Sequence, residues 1–340
     1  MGDFMATIHD VAQDAGVSPT TVSRYLNHRI ELPPATSARI DAAIARLDYR
    51  PNLLAKRLST GKSEAVGLVT PEIREPFFAE LASAFEDEAD RHGYTVFISS
   101  TRSDRKREIA SLERLHDRHI DGLVLMTNTP DDGTLARLIG KRKNVVILDE
   151  DIPGVTAPRL FVENRAGAQL ATRHLIEAGH SRIAYLGGPH GLFSVVERHE
   201  GFQQAMAEAG LPVRPDYVAL GGFDPELARA TTLKFLALPE PPTAIFASSD
   251  YLAIGAVMGL RDAGVSVPDD VSLIGFDDMP FGAMLTPPLT AIRQPVEQIG
   301  RQGFQLLLQL LNGKTPPPLT RLPVELIRRQ SVGAPRTKDL

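Results

Sequence analysis

The segment from Thr7 to Arg24 constrains the fold of this chain more than any other. Apolar residues repeat at helical spacing and predict one helix from about Ile8 to Ala15 and a second from about Pro19 to Leu26, with Val22 on the apolar stripe of the second. Gly16 falls between the two helices, where a turn often requires a positive φ. Ser18 is placed to cap the second helix, and Pro19 suits its first turn. The segment therefore predicts a helix-turn-helix, which presents its second helix to the major groove of DNA.

A second motif, Tyr49-Arg50-Pro51-Asn52, follows this head and is itself followed by Ala55 and Leu58. The two motifs together resemble the start of the lactose-repressor (LacI/GalR) family of transcription regulators, and the resemblance continues through the remainder of the chain. A small helical bundle can also contain an amphipathic helix pair with a glycine turn, but it does not account for the coincidence of the two motifs. The resemblance implies an N-terminal all-α helix-turn-helix head, a hinge helix and a two-lobe α/β core similar to ribose-type periplasmic binding proteins, with two doubly wound parallel sheets.

The composition agrees with two or three domains in a chain of 340 residues. The chain has no cysteine, so disulfides and thiolate metal sites are excluded. No apolar run approaches the ~20 residues of a transmembrane helix, and the first residues do not resemble a signal peptide. We therefore expect a cytoplasmic, nucleoid-associated protein with no membrane partner. Residues 1–62 contain eight Lys and Arg against six Asp and Glu, although the whole chain has a net charge of −5, so a modestly basic head precedes an acidic body.

From Ala65 onward, short apolar runs alternate with amphipathic helices, which predicts parallel doubly wound sheets. The predicted strands are Val66–Val69, Thr95–Ser99, Gly122–Met126, Val145–Leu148, Ile183–Leu186, Ala244–Ala247 and Leu273–Gly275. The predicted domains are the head (1–50), the hinge helix (51–62), the effector-binding and dimerisation core (63–334) and a tail (335–340). Within the core, the resemblance implies an N-lobe of 64–161 plus 291–320 and a C-lobe of 162–290 plus 321–334. The tetramerising C-terminal helix of the family is missing, so we expect a homodimer.

The resemblance also implies which residues contact operator DNA. Pro19, Thr20 and Arg24 match the base-reading positions, and Arg is suited to a bidentate bond with guanine. Leu58 matches the leucine that wedges into a central base step from the minor groove; packing within the linker is its alternative. The other predicted DNA-binding positions are Thr7, Ser18, Thr21, Ser23, Asn27, Asn52, Ala55 and Lys56. For Thr21 and Ser23, capping and solvation of the helix is an equal alternative.

A small sugar or sugar derivative is the expected effector, in the cleft between the lobes at the carboxyl ends of the strands. The positions that match the family's ligand contacts are Phe77, Phe78, Asp149, Arg198, Phe223, Ser249, Asp277 and Gln294. Aromatic faces suit the C–H patches of a sugar, and planar charged groups suit its hydroxyls. The alternatives are ordinary core packing for the two phenylalanines at the helix start, strand-end capping for the aspartates and a surface salt bridge for Arg198.

Three departures from the family pattern bear on the ligand. Ser249 stands where the family usually has Asn, and Glu75 replaces the Asn that precedes Pro-Phe-Phe in ribose-type members. Glu150 stands where ribose-type proteins have Arg, in an unusually acidic stretch from Asp149 to Asp151. The change at Ser249 and the acidic stretch disfavour ribose itself. They also disfavour a phosphorylated sugar, unless Arg74 or Arg102 reaches the cleft.

Other protein classes fit the sequence less well. A free sugar-binding protein would explain the core but not the helix-turn-helix. A dehydrogenase is disfavoured because no Gly-x-Gly-x-x-Gly follows the first strand, and Gly187-Gly188 after a later strand is a weak match. His116 and His119 are three residues apart, but the charged residues between them indicate a solvated helix end rather than a metal site. We therefore expect neither enzyme activity nor a cofactor or metal.

Overall fold

The computed structural model describes residues 6–26, 30–49, 62–117 and 120–336, without the side chains of residues 115–117. The chain divides into two compact units, Met1–Ser63 and Glu64–Leu340. The predicted hinge helix lies outside the described residues except for its last position, and so do residues 337–340 of the predicted tail. Five residues predicted to contact DNA also lie outside the described residues, namely Asn27, which directly follows α2, and the hinge positions Asn52, Ala55, Lys56 and Leu58.

The first unit contains three helices, α1 (Ile8–Ala15), α2 (Pro19–Leu26) and α3 (Pro34–Arg46). The bounds of α1 and α2 agree with those expected from the sequence, and Gly16 has the predicted positive φ of 65°. Asp10 and Thr7 form a capping box at the start of α1, in which the Asp10 carboxylate accepts from the Thr7 amide at 2.7 Å. The fully buried core of this unit consists of Val11, Ala12, Ala15, Val22, Ile40 and Ala43.

The second unit contains two six-stranded sheets. The first sheet has the order β11-β5-β4-β3-β1-β2, and all its neighbouring strands are parallel. Its strands are β1 (Ala65–Thr70), β2 (Thr95–Ser100), β3 (Gly122–Leu125), β4 (Val145–Leu148), β5 (Arg159–Val162) and β11 (Leu319–Leu322). The helices of this lobe are α4 (Pro76–Arg91), α5 (Arg105–Asp117), α6 (Thr134–Ile139) and α11 (Val296–Leu311).

The second sheet has the order β12-β10-β9-β8-β6-β7, and it is parallel except for the edge pair β10–β12. Its strands are β6 (Ile183–Gly187), β7 (Val218–Leu220), β8 (Ala244–Ala247), β9 (Ser272–Asp277), β10 (Thr290–Arg293) and β12 (Glu325–Ile327). Its helices are α7 (Asn164–Glu177), α8 (Phe193–Glu208), α9 (Pro225–Leu236) and α10 (Asp250–Asp262). Pro215–Tyr217 and Pro280–Met284 form short 3₁₀ helices.

Helices cover both faces of each sheet, which explains why the central strands are continuous apolar runs. On β3, Leu123 and Leu125 belong to one core cluster, whereas Val124 belongs to the cluster on the opposite face. On β6, Tyr185 and Leu186 face opposite clusters in the same way. The chain passes between the sheets after β5, after β10 and after β11, so the two lobes share three connections. The described helices include none that is both long and apolar enough to cross a bilayer.

Candidate functional site

The carboxyl ends of both sheets border one cavity, which is open to solvent on one side. Ligands bind at this edge of open parallel sheets in many proteins. The structure brings all eight residues predicted for the effector site into the wall of this cavity: Phe77, Phe78, Asp149, Arg198, Phe223, Ser249, Asp277 and Gln294. Their roles in binding an effector stay predictions, but their convergence from separate parts of both lobes is a property of the fold.

Aromatic rings form the apolar part of the wall. Phe77 and Phe78 lie in the first turn of α4 and pack edge to face with their centroids 5.2 Å apart. Both are also members of the core cluster beneath, so these rings belong to the core and to the cavity at once. Phe223 lies between β7 and α9 and approaches Gly188 so closely that an added Cβ would collide with the ring.

Arg198 projects from α8 and is 4% exposed, so the alternative of a surface salt bridge is wrong. Its Nε donates to Asn164 Oδ1 at 2.8 Å, and its Nη1 donates to the Ser248 carbonyl at 2.7 Å. The guanidinium stacks on Phe276 at 3.8 Å from the ring centroid, and Nη1 lies 3.8 Å from Asp277 Oδ1. Arg198 is therefore a fixed, buried positive charge beside the cavity.

Asp277 ends β9 with a φ of 113°, outside the extended region that the rest of a strand adopts. Gln294 Nε2 donates to Asp277 Oδ1 at 2.7 Å, so two predicted site residues are bonded to each other. The other oxygen, Oδ2, accepts from the Asp250 amide at 3.4 Å at the start of α10. This contact agrees with the alternative that the aspartates cap backbone groups at strand ends. Asp277 therefore accepts a bond from a backbone amide and also lines the cavity.

Burial raises the pKa of each carboxyl group in the wall. Desolvation raises the pKa of Asp277 to about 6, although Arg198 opposes the shift. Burial and the nearby charge of Asp149 raise the pKa of Glu150 to about 8, and burial also raises the pKa of Asp149 itself. The pKa of Glu75 rises to about 7, first because of burial and then because of the charge of Asp277. Perturbed groups of this kind gather at functional sites.

Sequence reasoning did not place several wall residues in the site, namely Glu75, Pro76, Asn128, Glu150, Ser194, Tyr251 and Met279. The departures at Glu75 and Glu150 were visible in the sequence, but their positions in the wall were not predicted. Ser194 joins the site because α8 begins opposite the end of β4. The Ser194 hydroxyl and amide both donate to the Glu150 carboxylate, which links a loop of the first lobe to a helix of the second.

The side-chain positions also show what Ser249 does and whether Arg74 or Arg102 reaches the cavity. Ser249 caps α10, since its hydroxyl accepts from the Leu252 amide at 3.2 Å. The Arg74 guanidinium pairs with Glu72 at 2.9 Å and is 80% exposed. Arg102 is also exposed, and neither arginine lines the cavity. The wall therefore gains no second arginine with which to hold a phosphate.

The described part of the predicted DNA-binding surface lies on α2 and at the start of α1. Thr20 and Arg24 are exposed, whereas Pro19, Thr21 and Ser23 are half-buried. The Ser18 hydroxyl accepts from the Thr21 amide at 3.1 Å, which confirms the predicted cap. The Thr7 hydroxyl donates to Asp10 at 2.7 Å. These bonds hold the start of each helix and leave Thr20 and Arg24 extended into solvent, as the recognition role would require.

Comparison with known proteins agrees with both units. Residues 7–52 match the profile of bacterial regulatory proteins of the lacI family, and residues 172–332 match that of a periplasmic binding protein-like domain. The chain is 34% identical over 331 residues to the HTH-type transcriptional repressor PurR of Actinobacillus pleuropneumoniae serotype 3, covering 96% of this chain and 98% of the relative. It is 33% identical over 314 residues to PurR of Aliivibrio salmonicida, covering 91% and 93% of the two chains.

Two solved structures are similar over nearly the whole chain. The lac repressor dimer bound to operator and the anti-inducer ONPF superposes with a TM-score of 0.87 at 27% identity, covering 97% of this chain and 100% of that chain. The complex of the regulator CelR with cellobiose gives a TM-score of 0.73 at 30% identity, covering 96% and 99%. These likenesses confirm the predicted fold class. The chain therefore belongs to the LacI family of bacterial regulatory proteins, and it is a DNA-binding transcriptional regulator rather than an enzyme.

Proposed function

We propose that this protein is a repressor that binds a palindromic operator as a homodimer, and that a small sugar-like effector in the cavity controls its affinity for DNA. The single observation that carries the effector proposal is the convergence of Phe77, Phe78 and Phe223 with Asp149, Arg198 and Asp277 around one space. Aromatic faces and bidentate polar groups are what a polyhydroxylated ligand requires. The similarity to CelR, which was solved with cellobiose, supports the same ligand class.

On the DNA side, Thr20 and Arg24 of α2 would meet base edges in the major groove. Thr7, Ser18, Thr21, Ser23 and Asn27 would hold the backbone. The hinge positions Asn52, Ala55, Lys56 and Leu58 would act in the minor groove, where a leucine wedge can kink the duplex. The similarity to a lac repressor dimer solved on its operator supports this arrangement and the two-fold symmetry of the site.

The proposed domains are those expected from the sequence, with a head to residue 50, a hinge to 62 and a core to 334. The division of the chain near residue 63 supports the boundary between hinge and core. Control follows if the effector favours one relative orientation of the two lobes, because a ligand shifts an equilibrium by its difference in affinity for the two states. Binding to operator DNA would place the protein in the cytoplasm, on the nucleoid.

The test couples ligand binding to DNA binding in the full chain. Thermal shift against pentoses, hexoses, polyols, sugar acids, sugar phosphates and nucleosides identifies the effector class through mass action. The active compound is then added to the protein on an operator selected from randomised DNA. Asp277→Asn should remove the response to that compound and keep DNA binding, whereas Asp269→Asn, at an exposed position, should change neither. An intact response in Asp277→Asn would remove Asp277 from the site.

A further inference from the structure

Two carboxylates in the cavity wall have no hydrogen-bond donor among the residues that the structure describes. Glu75 occupies the N-cap position of α4, but its side chain does not cap the helix. Asp149 follows β4, and it too accepts no bond from a described side chain or amide. By contrast, Glu150 accepts two bonds from Ser194, and Asp277 accepts one from Gln294. The carboxylates of Glu75 and Asp149 can therefore accept hydrogen bonds from a molecule bound in the cavity.

The wall is also strongly unbalanced in charge. Its described residues include four carboxyl groups, at Glu75, Asp149, Glu150 and Asp277, against one cationic side chain, Arg198. The guanidinium of Arg198 is already bonded to Asn164 and the Ser248 carbonyl and stacked on a ring, as described above. Glu150 keeps its proton near neutral pH, since its pKa is about 8. The carboxyl groups of Glu75, Asp149 and Asp277 still outnumber the single cation, and an anionic ligand would meet repulsion from those that are ionised.

A third acceptor faces the same space and is also unpaired. Gln294 lines the cavity and is 4% exposed, and its Oε1 has no hydrogen-bond partner among the described residues. Buried acceptors without a donor are costly, so a bound molecule that brings donors would relieve this cost. The oxygen of Gln294 and the carboxylates of Glu75 and Asp149 together indicate a ligand rich in hydrogen-bond donors.

A metal ion does not fit this acidic wall. Among the described residues, no group of three or more Asp, Glu, His or Cys side chains is arranged to hold a metal. The cavity also has phenylalanine rings on its wall, which suit an organic ligand and offer no ligand atoms to a cation such as Ca²⁺. The cation that balances the wall is therefore expected to be part of an organic molecule.

We propose that the effector bears a protonated amine, as an amino sugar does, and that Glu75 and Asp149 bind this amine. The inference rests on the proposed function, because it names the chemical class of ligand for the same cavity. An ammonium group offers three donors and one positive charge, which matches unpaired carboxylates better than a hydroxyl does. Phe77, Phe78 and Phe223 remain available for the C–H face of the same molecule.

The charge of Glu75 provides a second line of support. Asp277, Glu72 and Asp149 raise the pKa of this carboxyl group beyond the effect of burial, and Arg74 lowers it. Tyr251 also faces Glu75 from α10. With a pKa of about 7, Glu75 loses its charge in mildly acidic solution. Because the ligand amine and the other wall carboxyl groups also gain protons between pH 8 and pH 6, the contribution of Glu75 is the difference between the pH profiles of the original protein and of Glu75→Gln: amine affinity should fall more steeply with pH in the original protein, and the affinity of an uncharged sugar should show no such difference.

The experiment compares matched ligands on the full-length protein. Glucosamine, galactosamine and mannosamine are each titrated beside the parent hexose and the N-acetyl derivative, with thermal shift as a screen and calorimetry for affinity. We expect at least one amine to bind about tenfold or more tightly than its uncharged parent at pH 7, where the ligand amine is mostly protonated. Glu75→Gln should reduce this preference to about threefold or less. Glu86→Gln, the same change at an exposed position of α4, should keep the preference.

The outcomes separate this inference from the proposed function. If the uncharged parents bind as well as the amines, the inference is wrong and the sugar-like effector stands. If Glu75→Gln weakens amine and parent equally, Glu75 serves packing and the inference is again wrong. If no compound of this panel binds, the inference is wrong, and the proposed function is decided separately by the wider panel of sugars and sugar derivatives described above. The pH dependence of amine affinity between pH 8 and pH 6 is measured in the original protein and in Glu75→Gln, and identical profiles in the two proteins would overturn the role of Glu75.

Discussion

Glu150 allows the electrostatics of the cavity to be tested through stability. Its side chain lies between the end of β4 and the start of α8, and the residue is 2% exposed. The pKa of its carboxyl group rises from 4.5 to about 8, first because of burial and then because of the charge of Asp149. Between these two values the folded protein keeps a proton that the unfolded chain has released. The free energy of unfolding therefore falls as the pH rises through this range.

The size of the effect follows from the same two values. Each pH unit corresponds to about 1.4 kcal/mol, so the ionised form of Glu150 costs the folded protein up to about 5 kcal/mol above pH 8. Gln has the shape of the protonated acid, can accept from the Ser194 amide and can donate to the Ser194 hydroxyl. Glu150→Gln should hence match the original protein near pH 5 and be more stable by about 2–5 kcal/mol at pH 9.

Urea unfolding followed by circular dichroism at pH 5, 7 and 9 measures this difference. Glu86→Gln, at an exposed position of α4, is the control and should follow the original protein at every pH. The reasoning would be refuted if Glu150→Gln showed the same pH dependence as the original protein. Lower stability of the variant at pH 9 would also refute it, since the bonds from Ser194 would then outweigh the cost of burying the charge.

Three further predictions concern the two binding surfaces. Gly188→Ala should displace the Phe223 ring and weaken effector binding about tenfold, because an added Cβ collides with that ring; calorimetry measures the loss, and unchanged affinity would exclude Phe223 from ligand contact. Arg24→Ala should cost about 1–3 kcal/mol and relax specificity at one base pair of each half-site; a uniform loss over all sequences in a binding-site selection would instead indicate a phosphate contact. Leu58→Ala should weaken operator binding by about 1–3 kcal/mol, and equal affinity in a fluorescence anisotropy titration would argue against the wedge.

The predictions from sequence succeeded where a signal is local. The caps, the turn glycine and the apolar stripe of α1 and α2 lie within a few residues of one another, so the bounds of both helices could be predicted. The seven predicted strands were also found, and apart from the exposed edge strand β2 they are buried on both faces, where strands are unbroken apolar runs. The strands β5, β7, β10, β11 and β12 were not predicted. They have three or four residues each, and several lie at or near sheet edges, where burial is incomplete.

The sequence by itself, through its resemblance to a family, determined the family, the order of head and core, and eight of the residues that line the cavity. The tertiary structure decided how deeply those residues are buried and which charged groups surround them, and these two factors set the pKa of each carboxyl group. Glu150 meets Ser194, and Glu75 meets the charges of Asp149 and Asp277, because the two lobes bring distant parts of the chain to one edge. Desolvation and charge–charge interaction depend on everything that surrounds a group in space. The residues next to a carboxylate in the sequence therefore cannot show whether it is a solvated surface charge or a buried acid without a hydrogen-bond donor.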